Sequence, residues 1–426
     1  MSDQVTNPPE EEQFIDADQI AEEVPDDKDH HMSDDDDEEL GEAEDDESNV
    51  IEIDMSNNSS SYFDTHTDSV FLISSHPTLP MVVSGGGDDL GYLWTTHSNP
   101  SRLVAQLTGH TESVIAGGFT PDGQYLVTGD MSGQIRSWKS MSKGQKWDFY
   151  ASVQEVEEII WIRFHPKQPY IFALGASDGT VWVYSLEPKL EVIAVLSSHS
   201  LPTNSGIFVD VDDMDNLKLI TVSDDAAIIN WNVYTQTAAY TLTPKELYGE
   251  HPWVSLALSP SGRTIAAGSS DGKLAVISVE EGNVLTLVDT IGDDSNIDLE
   301  AQSIEDIAWS DNTNIIAVGN VAGQILLYEV GSWKLRRKIQ LEESITKLEF
   351  IPKSPILVSS AHDGSLNKWD VRSGEQKWAG KGHNAAVLGF ALQENGKRII
   401  SAGDEGVCLV FNDEGNSNQL VSVPRS

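Results

Sequence analysis

After Met55 the chain alternates apolar and polar positions in short runs, each closed by Gly, Ser, Asp or Asn. A two-residue period is that of a half-buried strand, and Asp-Gly or Ser-Gly pairs between runs are hairpin signals. One stretch shows the pattern: SVIAGGF, the turn TPDGQ, YLVTGD, the turn MSG, then QIRSW. Bulky residues follow such turns at Trp94, Trp138, Tyr184, Trp231, Ile277, Tyr328, Trp369 and Phe411, at spacings of 44, 46, 47, 46, 51, 41 and 42. A period in this range marks a repeat architecture in which no unit buries its apolar face alone. The pattern therefore predicts an all-β body made of eight similar units.

Gly109-His110 and Gly382-His383 open two units, and Trp369-Asp370 closes another. In these residues the chain resembles the WD-repeat family over about Tyr62 to Asn412. The resemblance implies an eight-bladed β-propeller of four-stranded blades, spanning 56–426, behind a tail over 1–55. SSYFDT, ahead of the first unit, is expected to supply the outermost strand of the last blade and close the ring. The first unit carries the family's bracing set, His66, Ser84, Asp88 and Trp94, and Asp178, Asp225, Asp271 and Asp363 are expected in the same role. Elsewhere the set is expected to be degraded: Ser132 and Ala322 stand where Asp88 stands, and Ile277 replaces the Trp. His66, His110 and His383 read as structural.

Charge changes the picture. The 426 residues hold 26 Lys+Arg against 69 Asp+Glu, a formal charge of −43. Such a field repels phosphate, so direct nucleic-acid binding is not expected, and self-repulsion favours a monomer. Residues 1–55 hold 24 Asp+Glu and the single Lys28, a net of −23, and read as a disordered arm. The remaining body is still about −20. One cysteine, Cys408, fits a reducing, cytoplasmic setting, and no stretch approaches the about 18 apolar residues of a membrane span.

Signatures of chemistry are missing where context would support them. Gly85-Gly86-Gly87 lies between strands, not ahead of a helix, so it is no phosphate loop. Asp34-Asp35-Asp36-Asp37 lacks the Gly turn and terminal Glu of a calcium loop, and His30-His31 is incidental. No catalytic residue, cofactor or metal is expected.

What remains is a binding surface. Immediately before innermost strands stand Asp68 in HTDSV, Glu112 in HTESV, Glu157 and Glu158 in EVEEI, and Glu343 in LEESI. Glu305, in SIEDIAW, falls one residue into its strand, where alternate side chains face the channel. Turns between second and third strands open on the same face and hold Asp88, Asp89, Asp130, Asp178, Asp224, Asp225, Asp271, Asp363, Asp404 and Glu405. A ring of one sign captures an Arg/Lys-rich segment, and charge-assisted pairs set its register. Trp161 and Trp253, near the starts of innermost strands, read equally as guanidinium platforms or as core.

Longer blocks carry a narrower resemblance: MSNNS, HTDSVF, SGGGDDLGYLW, LTGHTESVI, QEVEEIIW, GQILLYEVGSW and SAGDEGVCLVF. They are similar to a fungal branch of the WD-repeat family, dedicated chaperones of large-subunit ribosomal protein ten of the universal L-sixteen family. This implies a client whose basic N-terminal segment is held and released to late cytoplasmic pre-60S particles on the way to the ribosome. Glu112 and Glu305 are the positions onto which client-contacting carboxylates carry over. The alternative is a substrate receptor of a cullin-type ubiquitin ligase, suggested by Trp369-Asp370-Val371-Arg372, which fits a WDxR pattern.

Overall fold

The computed structural model describes residues 56–412, apart from Met214 and 293–297; the arm expected over 1–55 lies outside the described residues. The described chain forms eight antiparallel sheets of four strands each. In seven blades the strands follow chain order outward from the channel. The innermost strands are Val70–Ser75, Val114–Phe119, Ile159–Phe164, Thr203–Val209, Trp253–Leu258, Ile304–Trp309, Ile345–Phe350 and Val387–Gln393, opening blades 1 to 8 in that order.

The eighth blade joins both ends of the chain. Its outermost strand is Ser61–Phe63, paired with Cys408–Asn412 in the register Ser61↔Val410 and Phe63↔Cys408. Phe63 is buried and stacks on Trp94 of the first blade, with ring centroids 4.8 Å apart and planes 3° from parallel. A ring closed in this way has no free seam, as the segment SSYFDT predicted.

Each blade buries its middle strands and exposes its outer one. Second strands such as Met81–Gly86 and Tyr125–Asp130 are buried at every position, whereas the outer strand Leu335–Gln340 buries only Ile339. Apolar clusters straddle neighbouring blades; one packs Val209 and Ile220 of blade 4 against Trp253, Ile265 and Ile277 of blade 5. Full burial of each such side chain stabilises by about 1.5–3 kcal/mol, so the blades hold one another. Trp161 settles as core. Its indole lies between Gly175 and Gly206, where a Cβ at either position would come within 2.2 Å of the ring, and its Nε1 donates to the Thr203 carbonyl at 2.9 Å. Trp253 is fully buried as well, so neither offers a platform to a ligand.

In blade 1 the bracing set closes as expected. His66 Nδ1 meets Asp88 at 3.0 Å, its Nε2 meets Ser84 Oγ at 2.9 Å, and Trp94 Nε1 donates to the same hydroxyl at 3.0 Å. Burial holds the His66 imidazole below its usual pKa, against the pull of Asp88. A neutral ring donating from Nδ1 and accepting at Nε2 satisfies every member.

The set is less degraded than the sequence suggests. Blade 4 is complete: His199 pairs with Asp225 and with Thr221 Oγ1, which also accepts from Trp231 Nε1 at 2.8 Å. In blade 2, Ser132 does not leave a gap, because Asp130, two residues upstream, takes His110 Nδ1 at 2.9 Å while Thr128 takes Nε2 at 2.7 Å. In blade 8, Glu405 reaches His383 Nδ1 at 2.5 Å. Asp271 pairs with His251 at 2.7 Å beside Ile277. Asp178 and Asp363 instead cap their own turns, accepting from the backbone N–H of Thr180 and Ser365, both at 2.8 Å.

An acidic candidate site around the channel mouth

Two features recur in all eight blades and build one face of the ring. The carbonyl just before each innermost strand accepts an N–H from the turn between the second and third strands of the same blade. The pairs run from Gly87 to Ser69 at 2.9 Å and from Met131 to Ser113 at 3.0 Å around to Asp404 to Ala386 at 2.9 Å. This bond ties the two kinds of acidic loop into a single rim. Two residues further on, every innermost strand carries a register shift, skipping Phe71, Ile115, Ile160, Asn204, Val254, Glu305, Thr346 and Leu388. A bulge re-aims the side chain it leaves unpaired. All eight bulged residues keep solvent exposure at the channel mouth, Phe71 most at 44 %.

At Glu305 the ladder departs from strict alternation. Glu305 is placed by the bulge, and pairing resumes at Asp306 opposite Gly319. The bulge ring also supplies residues that the charge pattern missed: five of the eight bulged positions are apolar, each in the same place of its own blade.

On the rim, Asp68, Glu112, Glu157 and Glu343 are exposed, and Glu158 and Glu305 are half-buried. The Asp68 carboxylate caps its neighbour Ser69 N–H at 2.7 Å. Among the described residues, the carboxylates of Glu112, Glu157, Glu158, Glu305 and Glu343 have no ion-pair or hydrogen-bond partner. Among the described residues, connections on this face contain only Lys245 and Lys381 as cations. The opposite face holds Arg102, Lys143, Lys167, Lys189, Arg263, Lys334, Lys353, Arg372 and Lys397. Carboxylates thus far outnumber the two lysines on this face while the other face is mixed, which concentrates negative potential at the mouth.

Below the rim the channel carries opposing charges. Burial raises the Asp306 carboxyl to about 6, although it accepts from Leu348 N–H at 2.7 Å and from Ile307 N–H at 2.9 Å, and Lys347 and Arg163 pull the other way. Burial likewise lowers Arg163, partly offset by Asp306. Lys347 pairs with Glu349 at 3.2 Å and donates to the Phe390 carbonyl at 2.7 Å. Among the described residues no group of three His, Cys, Asp or Glu could hold a metal ion. Arg372 of the WDxR tetrapeptide is engaged by its own neighbour: its Nε and Nη2 donate to Asp370 at 3.0 and 2.7 Å, which holds that carboxyl down to about 2.

Comparisons with known proteins agree on the architecture. The family model described as "WD domain, G-beta repeat" matches residues 101–139, 243–278 and 334–370. The ribosome assembly protein SQT1 of Saccharomyces cerevisiae is 41% identical over 382 residues, covering 85% of this chain and 88% of the relative. Its crystal structure superposes with a TM-score of 0.80 over 84% of this chain and 99% of that chain. The Sqt1 of Chaetomium thermophilum, solved bound to the N-terminus of the ribosomal protein L10, is 31% identical with a TM-score of 0.75, covering 84% of this chain and 100% of that chain. With that identity over nearly the whole propeller, the chain belongs to the Sqt1 family of WD-repeat ribosome assembly proteins.

Proposed function

We propose that this chain is a dedicated chaperone holding the basic N-terminal segment of ribosomal protein L10 on its acidic rim. It delivers that protein to late pre-60S particles. The observation that carries the reading is the set of unpaired carboxylates of one sign on the rim, Glu112, Glu157, Glu158, Glu305 and Glu343, with Asp68 beside them. Unpaired charge at a partly desolvated mouth is costly, and an Arg or Lys from a client relieves that cost. Support comes from the Chaetomium thermophilum relative, bound to the N-terminus of that same ribosomal protein.

The work is binding, not catalysis, and belongs in the cytoplasm. The apolar bulge ring adds a second requirement, that the client interleave apolar side chains with its cations. Release follows from competition: rRNA phosphates and neighbouring ribosomal proteins take over the same Arg and Lys residues.

The reading is tested by adding the purified protein to L10 translated in an RNase-treated extract. A soluble complex that dissociates as salt rises, with no effect of nucleotide, is the expected result. Release stimulated by ATP or GTP, or capture of a ubiquitin-ligase adaptor in place of L10, would contradict it.

A further inference from the structure

The loop from Thr243 to Pro252 joins the outermost strand of blade 4 to the innermost strand of blade 5, and so lies on the acidic face. Within it Tyr248 is 80 % exposed, more than any other large apolar side chain among the described residues. The loop is nonetheless pinned on both sides of the ring. Leu247 is fully buried in the cluster shared by blades 4 and 5. Thr243 O accepts from the N–H groups of Glu246 and Leu247, both at 3.0 Å, and Pro244 O accepts from Gly249 N–H at 3.0 Å. Beyond it, His251 is fixed by Asp271.

Tyr248 also takes φ of +59°, a left-handed conformation that a bulky side chain rarely adopts. Backbone strain of this kind persists only where the surroundings over-determine it, and it clusters at ligand clamps. The result is a ring held out toward solvent, flanked in sequence by the exposed Glu246 and Glu250; the Glu246 carboxylate also accepts from the Thr243 N–H at 3.0 Å and from its hydroxyl at 2.5 Å, and Lys245 stands in the same loop. An aromatic face beside negative charge binds a guanidinium well. Arg stacks flat and is weakly hydrated, whereas the Lys ammonium is compact and strongly hydrated.

Building on the chaperone reading, we infer that Tyr248 is a platform for an arginine of the client, and that it makes the acidic face prefer arginine-rich over lysine-rich segments. Trp161 and Trp253 were the aromatic candidates in the sequence, and both are core; Tyr248 takes that role on the surface.

The test is titration of the full chain with two versions of the L10 N-terminal peptide, one with every cation Arg and one with every cation Lys. The wild type is expected to bind the Arg version about five- to tenfold more tightly. Tyr248→Phe keeps that ratio. Tyr248→Ala reduces it toward one while leaving the Lys peptide unchanged, and Tyr248→Gly, which relieves the positive φ, behaves as the Ala variant with no loss of fold. An unchanged Arg-to-Lys ratio in Tyr248→Ala and Tyr248→Gly, with both peptides still bound, overturns the platform and leaves the chaperone reading standing. Failure of both peptides to bind the wild type overturns both.

Discussion

Asp306 of blade 6 accepts from the backbone N–H of Leu348 in blade 7 at 2.7 Å, and burial raises its carboxyl although Lys347 and Arg163 pull the other way. Because the folded state raises the Asp306 carboxyl from 3.8 to about 6, it holds that proton more tightly than the unfolded chain does. Stability contributed by this group is therefore full below the unfolded value and is lost as pH rises through the folded one. Between about pH 4 and pH 6 the wild type should lose up to about 3 kcal/mol relative to Asp306→Asn, and the difference should be flat above that window. Denaturant midpoints of the two proteins across this range measure it; a difference that grows in the opposite direction would show an ionised, stabilising carboxylate.

In blade 2, Asp130 and not Ser132 braces the histidine. Asp130→Ala leaves His110 Nδ1 and the Gln134 N–H without their acceptor and should cost about 2–4 kcal/mol. Ser132→Ala removes the hydroxyl bond to Asp130 and an exposed one with Thr111 Oγ1, and should cost about 1 kcal/mol or less. Equal costs in chemical denaturation would give Ser132, the counterpart of Asp88, a share in the bracing role.

These outcomes mark where the sequence was legible. Turn signals and bulky strand-end residues locate the eight units, and SSYFDT locates the closing strand, because both depend on local chemistry. From the sequence Asp130 reads only as a turn carboxylate of the rim, because a carboxylate two residues upstream reaches the same imidazole only once the strand is folded beside it. Trp161 was ambiguous because the two glycines that enclose it come from different strands of blades 3 and 4. The bulge ring was hidden for a related reason. A strict two-residue alternation does not foresee the extra residue in each ladder, which puts Phe71, Ile115 and Ile160 at the positions of blades 1 to 3 that Glu305 takes in blade 6.

Ring closure makes its own prediction. A chain beginning at Ser56 retains the strand Ser61–Phe63 and should unfold at the temperature of the full chain. One beginning at Asp64 loses the pairing with Cys408–Asn412 and the buried Phe63 ring stacked on Trp94. Loss of a buried Phe alone costs about 3–5 kcal/mol, so the shorter chain should melt several degrees lower and expose an edge prone to aggregation. Thermal melts of the two truncations, with light scattering, check this; equal melting temperatures would mean that the strand does not close the ring.

The most direct test of the central claim is calorimetric titration of the full chain with the N-terminal peptide of L10. It is run on the wild type, on Glu112→Lys and Glu305→Lys, and against a scrambled peptide of equal charge. Each reversal places a cation on an exposed or half-exposed rim position with no protein partner, so neither should disturb the fold. At physiological salt, where screening acts over about 8 Å, the account predicts that the native peptide binds the wild type and that each reversal weakens it at least tenfold. The scrambled peptide should bind poorly to all three. Equal binding of native and scrambled peptides, or native binding untouched by both reversals, would contradict a specific client site on this rim.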